Sequence, residues 1–247
     1  MPRSNTGKKK RGVLFAPLAF LLICAALVFA VSVFFRVSGL EVEGNALYTP
    51  EEIITASGIE KGDNLFFINQ FTAISRIYSK LPYVEKAAIN RSLPNRVTIV
   101  IVESRAIACV NTEQGAWAID RSCKLLSEAQ GDDLNGLIRI EGLTAIAPEA
   151  GQILSPGEAD SPKLSYLSDI LTQIDGLGMR EDIGCIDITG VSSPSFDYLG
   201  RFLVKLGNNE NLDYKFQCLL SAVEALGPGD RGTLDLSIDK RAHFTYD

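Results

Sequence analysis

The sequence predicts an α+β protein held behind a single N-terminal transmembrane helix, and three observations predict it. Val13 to Phe35 is a stretch of 23 residues without one charged side chain. Residues 37–105 interleave short strand patterns with two amphipathic helix patterns, the signature of a small α+β unit. From residue 106 onward strand patterns dominate and two helical stripes interrupt them. A larger mixed sheet with helices on one face is the natural packing for that order.

At about 1.5 Å rise per residue, the apolar stretch 13–35 reaches roughly 34 Å, enough to cross a hydrocarbon core of about 30 Å. Pro17 falls in the first turns, where a missing backbone N–H does least harm. A cleaved signal peptide has a shorter apolar region and a small-x-small cleavage site. Here the run is longer and ends in bulky Phe34-Phe35-Arg36. Residues 1–12 carry Arg3, Lys8, Lys9, Lys10 and Arg11 with no acid. The positive-inside rule therefore predicts a cytoplasmic basic tail and a body on the far side of the plasma membrane.

With −6 overall and +5 in the tail, the remaining chain carries −11. So acidic a body lacks the basic footprint that nucleic acid needs, and it does not suit lying flat on anionic lipid. Four of the five cysteines, Cys109, Cys123, Cys185 and Cys218, belong to the body. Apolar residues lie within two positions of each, as they do for buried free thiols, while three disulfide pairings stay open.

In the first body segment, Leu40 to Glu43 alternates as a strand. Thr49-Pro50-Glu51-Glu52 is a helix-start signature: Thr49 caps, Pro50 suits the first helical position, and Glu52 reaches back to the cap. Gly58 closes that helix. A second helix begins near Asn69, with Phe71, Ile74, Ile77, Tyr78 and Leu81 spaced for one buried stripe, and Pro82 stops it. Strands over 84–91 and 96–103 follow, joined by Leu93-Pro94-Asn95.

In the second segment the strand patterns cover 106–111, 116–120, 123–127 and 137–143. Ser161-Pro162 opens a helix with Leu164, Leu167, Ile170, Leu171 and Ile174 in one stripe. Strands at 183–189 and around Phe202–Leu206 precede a helix over 212–226. After the turn Gly227-Pro228-Gly229-Asp230, residues 233–238 alternate again, and the chain closes on Phe244-Thr245-Tyr246-Asp247.

The run "VSGLEVEGNALYTPEEIITASGIEKGDNLFFIN" with "LPYVEKAAINRSLPNRVTIVIVESRAIA" resembles the POTRA domain that follows the membrane anchor in FtsQ/DivIB cell-division proteins. The shared features are the "V.GN" turn, the capped helix, "G.NLF.I" and "P.V..A.I.R.LPN.V.I.V.E". The segments "GAWAIDRSCKLL", "YLGRFLVKLG", "LDYKFQCLL" and "PGDRGTLDLSIDKRAHFTYD" are similar to the β domain of the same family. Where that family shows "D..G.VL", this chain has Arg121-Ser122-Cys123 after Asp120, so that hairpin is expected to differ locally.

The resemblance implies a cytoplasmic tail at 1–12, a transmembrane helix at 13–35, a POTRA domain at 37–105 and an FtsQ/DivIB-like β domain at 106–247. It implies a non-enzymatic divisome scaffold at the division septum, with no cofactor. Its implied partners are FtsL-like and FtsB/DivIC-like bitopic membrane proteins, with contact concentrated in the last β-domain strands. A membrane-tethered POTRA factor in envelope assembly or secretion is the alternative.

No nucleophile, metal or phosphate-loop motif stands in the sequence, and its one histidine is His243. Binding at an open sheet edge is the expected mechanism. The candidate edge is 233–238 or 242–246, with Leu234, Leu236, Ile238, Phe244 and Tyr246 as partner-binding residues. Phe244 and Tyr246 are the candidate anchors, because aromatics dominate interface hot spots; the other reading of the pair is that both rings only close the core.

Overall fold

The computed structural model describes residues 12–113, 115–157, 160–190, 192–238 and 241–246. The basic residues of the N-terminal tail lie outside them. Chain contacts divide the protein into two compact units, Met1–Ile77 with Lys86–Val102, and Tyr78–Glu85 with Glu103–Asp247.

The first unit opens with α1 (Gly12–Phe34), an unbroken 23-residue helix with Pro17 inside it. None of its described side chains from Pro17 to Phe34 is buried against protein. Strand β1 (Gly39–Glu43) leads into α2 (Pro50–Ser57), which starts as the sequence dictates. The Thr49 hydroxyl accepts from Glu52 N, the Glu52 carboxylate accepts from Thr49 N at 2.8 Å, and Gly58 closes the helix in the left-handed region. Helix α3 (Gln70–Lys80) then precedes β2 (Val84–Ser92) and β3 (Arg96–Glu103). The three strands form one sheet in the order β1-β3-β2, with β1 parallel to β3 from Gly39↔Arg96 to Glu43↔Val100. Ile53, Leu65, Ile77, Val97 and Ile99 are completely buried between this sheet and its helices.

Two expectations for α3 fail. Phe71 and Tyr78 were expected on the buried stripe, yet they are 88 % and 39 % exposed. Asn69 fixes the helix start, its side-chain oxygen accepting from Thr72 N at 3.1 Å. The helix then turns Ala73 and Ile77 inward. At 100° per residue, Phe71 stands about 200° from Ala73 and so on the outer face.

The second unit is a nine-stranded sheet among the described residues. Its strands are β4 (Ala108–Thr112), β5 (Gly115–Ile119), β6 (Leu125–Ala129), β7 (Ile138–Thr144), β8 (Ile183–Asp187), β9 (Ser195–Tyr198), β10 (Phe202–Lys205), β11 (Gly232–Asp235) and β12 (His243–Tyr246). The spatial order is β12-β11-β10-β9-β8-β7-β4-β5-β6. Pairs β4–β7, β7–β8 and β10–β11 are parallel and the others antiparallel, so the sheet is mixed. Helices α4 (Ser161–Leu177) and α5 (Leu212–Ala225) share one core with alternate strand positions. Ile170, Ile174, Phe216 and Leu219 from the helices meet Val110, Ile140, Ile186, Phe196 and Val204 from the strands. All five cysteines are free thiols, with Cys109 and Cys123 buried.

Candidate partner-binding edge

The site is the β10–β11–β12 end of the large sheet. Strand β11 is parallel to β10, with Phe202↔Gly232, Leu203↔Thr233, Val204↔Leu234 and Lys205↔Asp235. Strand β12 returns antiparallel, with Gly232↔Tyr246, Thr233↔Thr245, Leu234↔Phe244 and Asp235↔His243. Because side chains alternate across a sheet, two rows form. Phe202–Gly232–Tyr246 and Val204–Leu234–Phe244 lie on the core side. Leu203–Thr233–Thr245 and Lys205–Asp235–His243 lie on the outer side.

Of the two candidate edge segments, 233–238 is interior, since β11 is paired on both sides; β12 is the edge. Leu234 and Leu236 are 0 % and 2 % exposed, so neither can touch a partner through its side chain. This corrects the sequence expectation: alternation puts both residues on the core side of the sheet. Ile238 and Tyr246 are 53 % and 66 % exposed. Phe244 is half-buried at the rim of the core, edge-on to Phe202 with ring centroids 6.0 Å apart and to Tyr246 at 4.6 Å.

Backbone direction follows from the same ladder. Gly232 N donates to Arg201 O at 3.2 Å and Leu236 N to Lys205 O at 2.8 Å. Even-numbered residues of β11 therefore turn their polar groups toward β10, and Thr233 and Asp235 turn theirs toward β12. In an antiparallel pair the residues opposite Thr233 and Asp235, Thr245 and His243, point back at β11. Phe244 and Tyr246 then direct N–H and C=O away from the sheet, where an added strand would find them.

Gly232 permits this close ladder. Its φ is +155°, and a Cβ there would collide with the Thr245 carbonyl oxygen. Arg201 braces the neighbouring turn, which the sequence reading did not assign a role. Its guanidinium donates to Gly227 O at 3.1 Å and Pro228 O at 2.8 Å, and lies 4.7 Å from the Phe202 ring centroid. The only sequence signal for it was a charge next to a strand, which most often marks a solvated end. Asp235 closes β11: Ser237 N donates to its carboxylate at 2.8 Å. The bond with Ser237 holds the Asp235 carboxyl below the usual aspartate range, aided by nearby Lys205 and His243.

Residues 35–104 match the family model for the POTRA domain, FtsQ-type. The chain is 28 % identical over 137 residues to cell division protein DivIB of Clostridium acetobutylicum, covering 56 % of this chain and 53 % of that one. The chain thus spans about half the length of that relative. With DivIB of Clostridium tetani it shares 26 % identity over 198 residues, 78 % of this chain and 73 % of the relative. With DivIB of Clostridium botulinum strain Loch Maree it shares 24 % over 242 residues, 96 % and 90 % of the two chains. Residues 35–104 are thus a POTRA domain of the FtsQ type, and most of the chain is similar to DivIB cell-division proteins. The match to the DivIB of Clostridium botulinum extends beyond the POTRA residues through most of the second unit.

Proposed function

We propose that this FtsQ/DivIB protein is a membrane-anchored, non-enzymatic scaffold of cell division. It binds FtsL-like and FtsB/DivIC-like bitopic proteins and links them to septal wall synthesis. The observation that carries the reading is the free edge of β12, where Phe244 and Tyr246 offer outward backbone groups beside exposed Tyr246. Strand addition there gives affinity through main-chain hydrogen bonds, and the aromatic side chains add specificity.

Helix α1 is the anchor in this reading, because an apolar helix of that length with no protein cover has lipid as its natural solvent. The basic tail keeps the N-terminus cytoplasmic. Residues 37–105 form the POTRA domain and 106–247 the β domain, with the POTRA part contacting other division proteins. An N-terminal fluorescent fusion at native level tests the reading. Signal focused at mid-cell before constriction is expected; uniform peripheral signal overturns it and favours an envelope-assembly factor.

A further inference from the structure

Where α1 ends, another segment of the first unit is laced to it. Asn64 donates from its side chain to Val31 O at 3.2 Å, in the last turns of the helix. Leu65 N donates to Phe35 O, Val37 N to Asp63 O and Gly62 N to Val37 O, each at 2.8 Å. The Phe35 and Phe66 rings stack edge-on at 4.9 Å. Two further bonds bring in the β2–β3 turn: Ser38 N donates to Asn95 O at 2.9 Å, and the Arg91 guanidinium to Ile68 O at 2.5 Å.

The apolar side chains on these segments divide into a buried set and an exposed set. Leu65 and Ile68 are 0 % and 9 % exposed and pin the loop to the core. Between and beyond them Phe66, Phe67, Phe71 and Leu93 are 48 %, 82 %, 88 % and 66 % exposed. Four large apolar groups at one end of a small domain form the kind of patch that marks a binding surface. The hydrogen bonds decide which. If α1 crosses a hydrocarbon core of about 30 Å, its last turns lie at the boundary of that core. Asn64, bonded to Val31, lies at the same depth. Phe66 and Phe67 follow within two or three residues, so the chain takes them at most about 10 Å from it.

We infer that Phe66, Phe67, Phe71 and Leu93 form a lipid-contacting rim that seats the POTRA end of the molecule in the outer headgroup–acyl boundary. Aromatic rings favour that depth, and Arg36, whose guanidinium donates to Ser32 O at 3.3 Å in the last turns of α1, puts a charge at the headgroup layer. The rim uses apolar insertion and has no requirement for anionic lipid. It rests on the reading of α1 as a membrane anchor. It gives the domain a fixed tilt and height, which a single flexible tether would not.

The test uses the full chain in phosphatidylcholine vesicles, with and without brominated acyl chains, and no partner protein. Single tryptophans replace Phe67 or Phe71, with Phe29→Trp in α1 and Leu47→Trp as comparisons. The one native tryptophan, Trp117, is subtracted using the unaltered protein. Leu47 is 60 % exposed and lies past the far end of β1, about 16 Å of strand from the exit. The inference expects blue-shifted emission and bromolipid quenching at positions 67, 71 and 29, but not at 47. Quenching at 29 alone overturns the rim and leaves the anchor standing. Quenching at 47 as well overturns it as non-specific adhesion. Absence of quenching at 29 removes the anchor, and the rim with it.

Discussion

Phe244 stands directly across from Leu234 in the last antiparallel pair of the sheet, yet the two meet different surroundings. Leu234 is sealed in the core, whereas Phe244 sits at the rim against Phe202 and Tyr246. Phe244→Asp would place a carboxylate against Phe202 and so report on folding as much as on binding. Tyr246 is the cleaner probe. Tyr246→Pro removes an outward N–H without touching the β11–β12 ladder, and an edge position accommodates proline. We expect its unfolding midpoint to stay in place while affinity for an FtsB/DivIC-like ectodomain falls about tenfold, the worth of one hydrogen bond of about 1.4 kcal/mol. Thr245→Pro removes an inward N–H and should cost about 1–3 kcal/mol of stability. Calorimetric titration and urea unfolding of both variants check the pair. Undiminished binding by Tyr246→Pro would remove strand addition at β12.

A second expectation concerns the turn after β5. Cys123 stands where the family pattern "D..G.VL" has glycine, and its φ is +59°. Asp120 organises this turn: its carboxylate accepts from Ser122 N at 2.9 Å and Lys124 N at 3.0 Å, and its carbonyl accepts from Cys123 N at 3.0 Å. The left-handed conformation costs a non-glycine residue about 1–2 kcal/mol. Burying the thiol in the core offsets that cost, since Cys123 is 0 % exposed. Cys123→Gly should therefore change stability by less than about 1 kcal/mol, because strain relief offsets lost packing. Cys123→Ala keeps the strain and loses the packing, so it should be the less stable of the two by urea unfolding. The reverse order would show that the turn holds no strain.

These two sites show what a single sequence discloses. Both ends of α2 were legible because the Thr49–Glu52 box and Gly58 are local chemistry, satisfied within a few residues. The β4–β8 patterns were legible because alternation over five or more residues is a strong signal. Strand β9 was missed: Ser195–Tyr198 has only four residues, follows Pro194, and is defined by its pairing with β8 and β10. The edge was located only to within two segments, since strand order in a sheet is set by long-range packing. For the same reason the sequence pattern could not tell which face of 233–238 turns to the core, and Leu234 and Leu236 read as contact candidates. Phe71 misled because its spacing fits a stripe whose true axis is set by Ala73 and Ile77.

The thiols should react in an order set by burial and by their ionisation. Burial pushes the Cys123 thiol up to about 12, and nearby Asp120 adds to it. Burial likewise raises Cys109 and Cys185, the latter against the opposing pull of Arg139. Since the thiolate is the nucleophile, native alkylation should mark half-exposed Cys218 and Cys185 first, Cys109 more slowly and Cys123 only after unfolding. Mass spectrometry of timed iodoacetamide reactions reads this order directly. Early labelling of Cys123 would mean that the β5–β6 turn opens in the native state.

Acid should weaken the sheet through two matched strand ends. Asp187 ends β8 and accepts from Thr189 N, and Asp235 ends β11 and accepts from Ser237 N, each at 2.8 Å. The bond with Thr189 in one case and with Ser237 in the other lowers the carboxyl below the ordinary aspartate value of 3.8. A carboxyl whose pKa is lower folded than unfolded binds protons more readily in the unfolded chain, so stability rises with pH across the interval. The contribution is fully present above 3.8 and is lost as pH falls through the lower folded values. Asp187→Asn with Asp235→Asn keeps the turn geometry but removes the titration. Urea unfolding at a series of pH values should show the unaltered protein losing more stability than the double variant over that interval. Parallel pH profiles would mean that neither carboxylate's hydrogen bonds are coupled to folding.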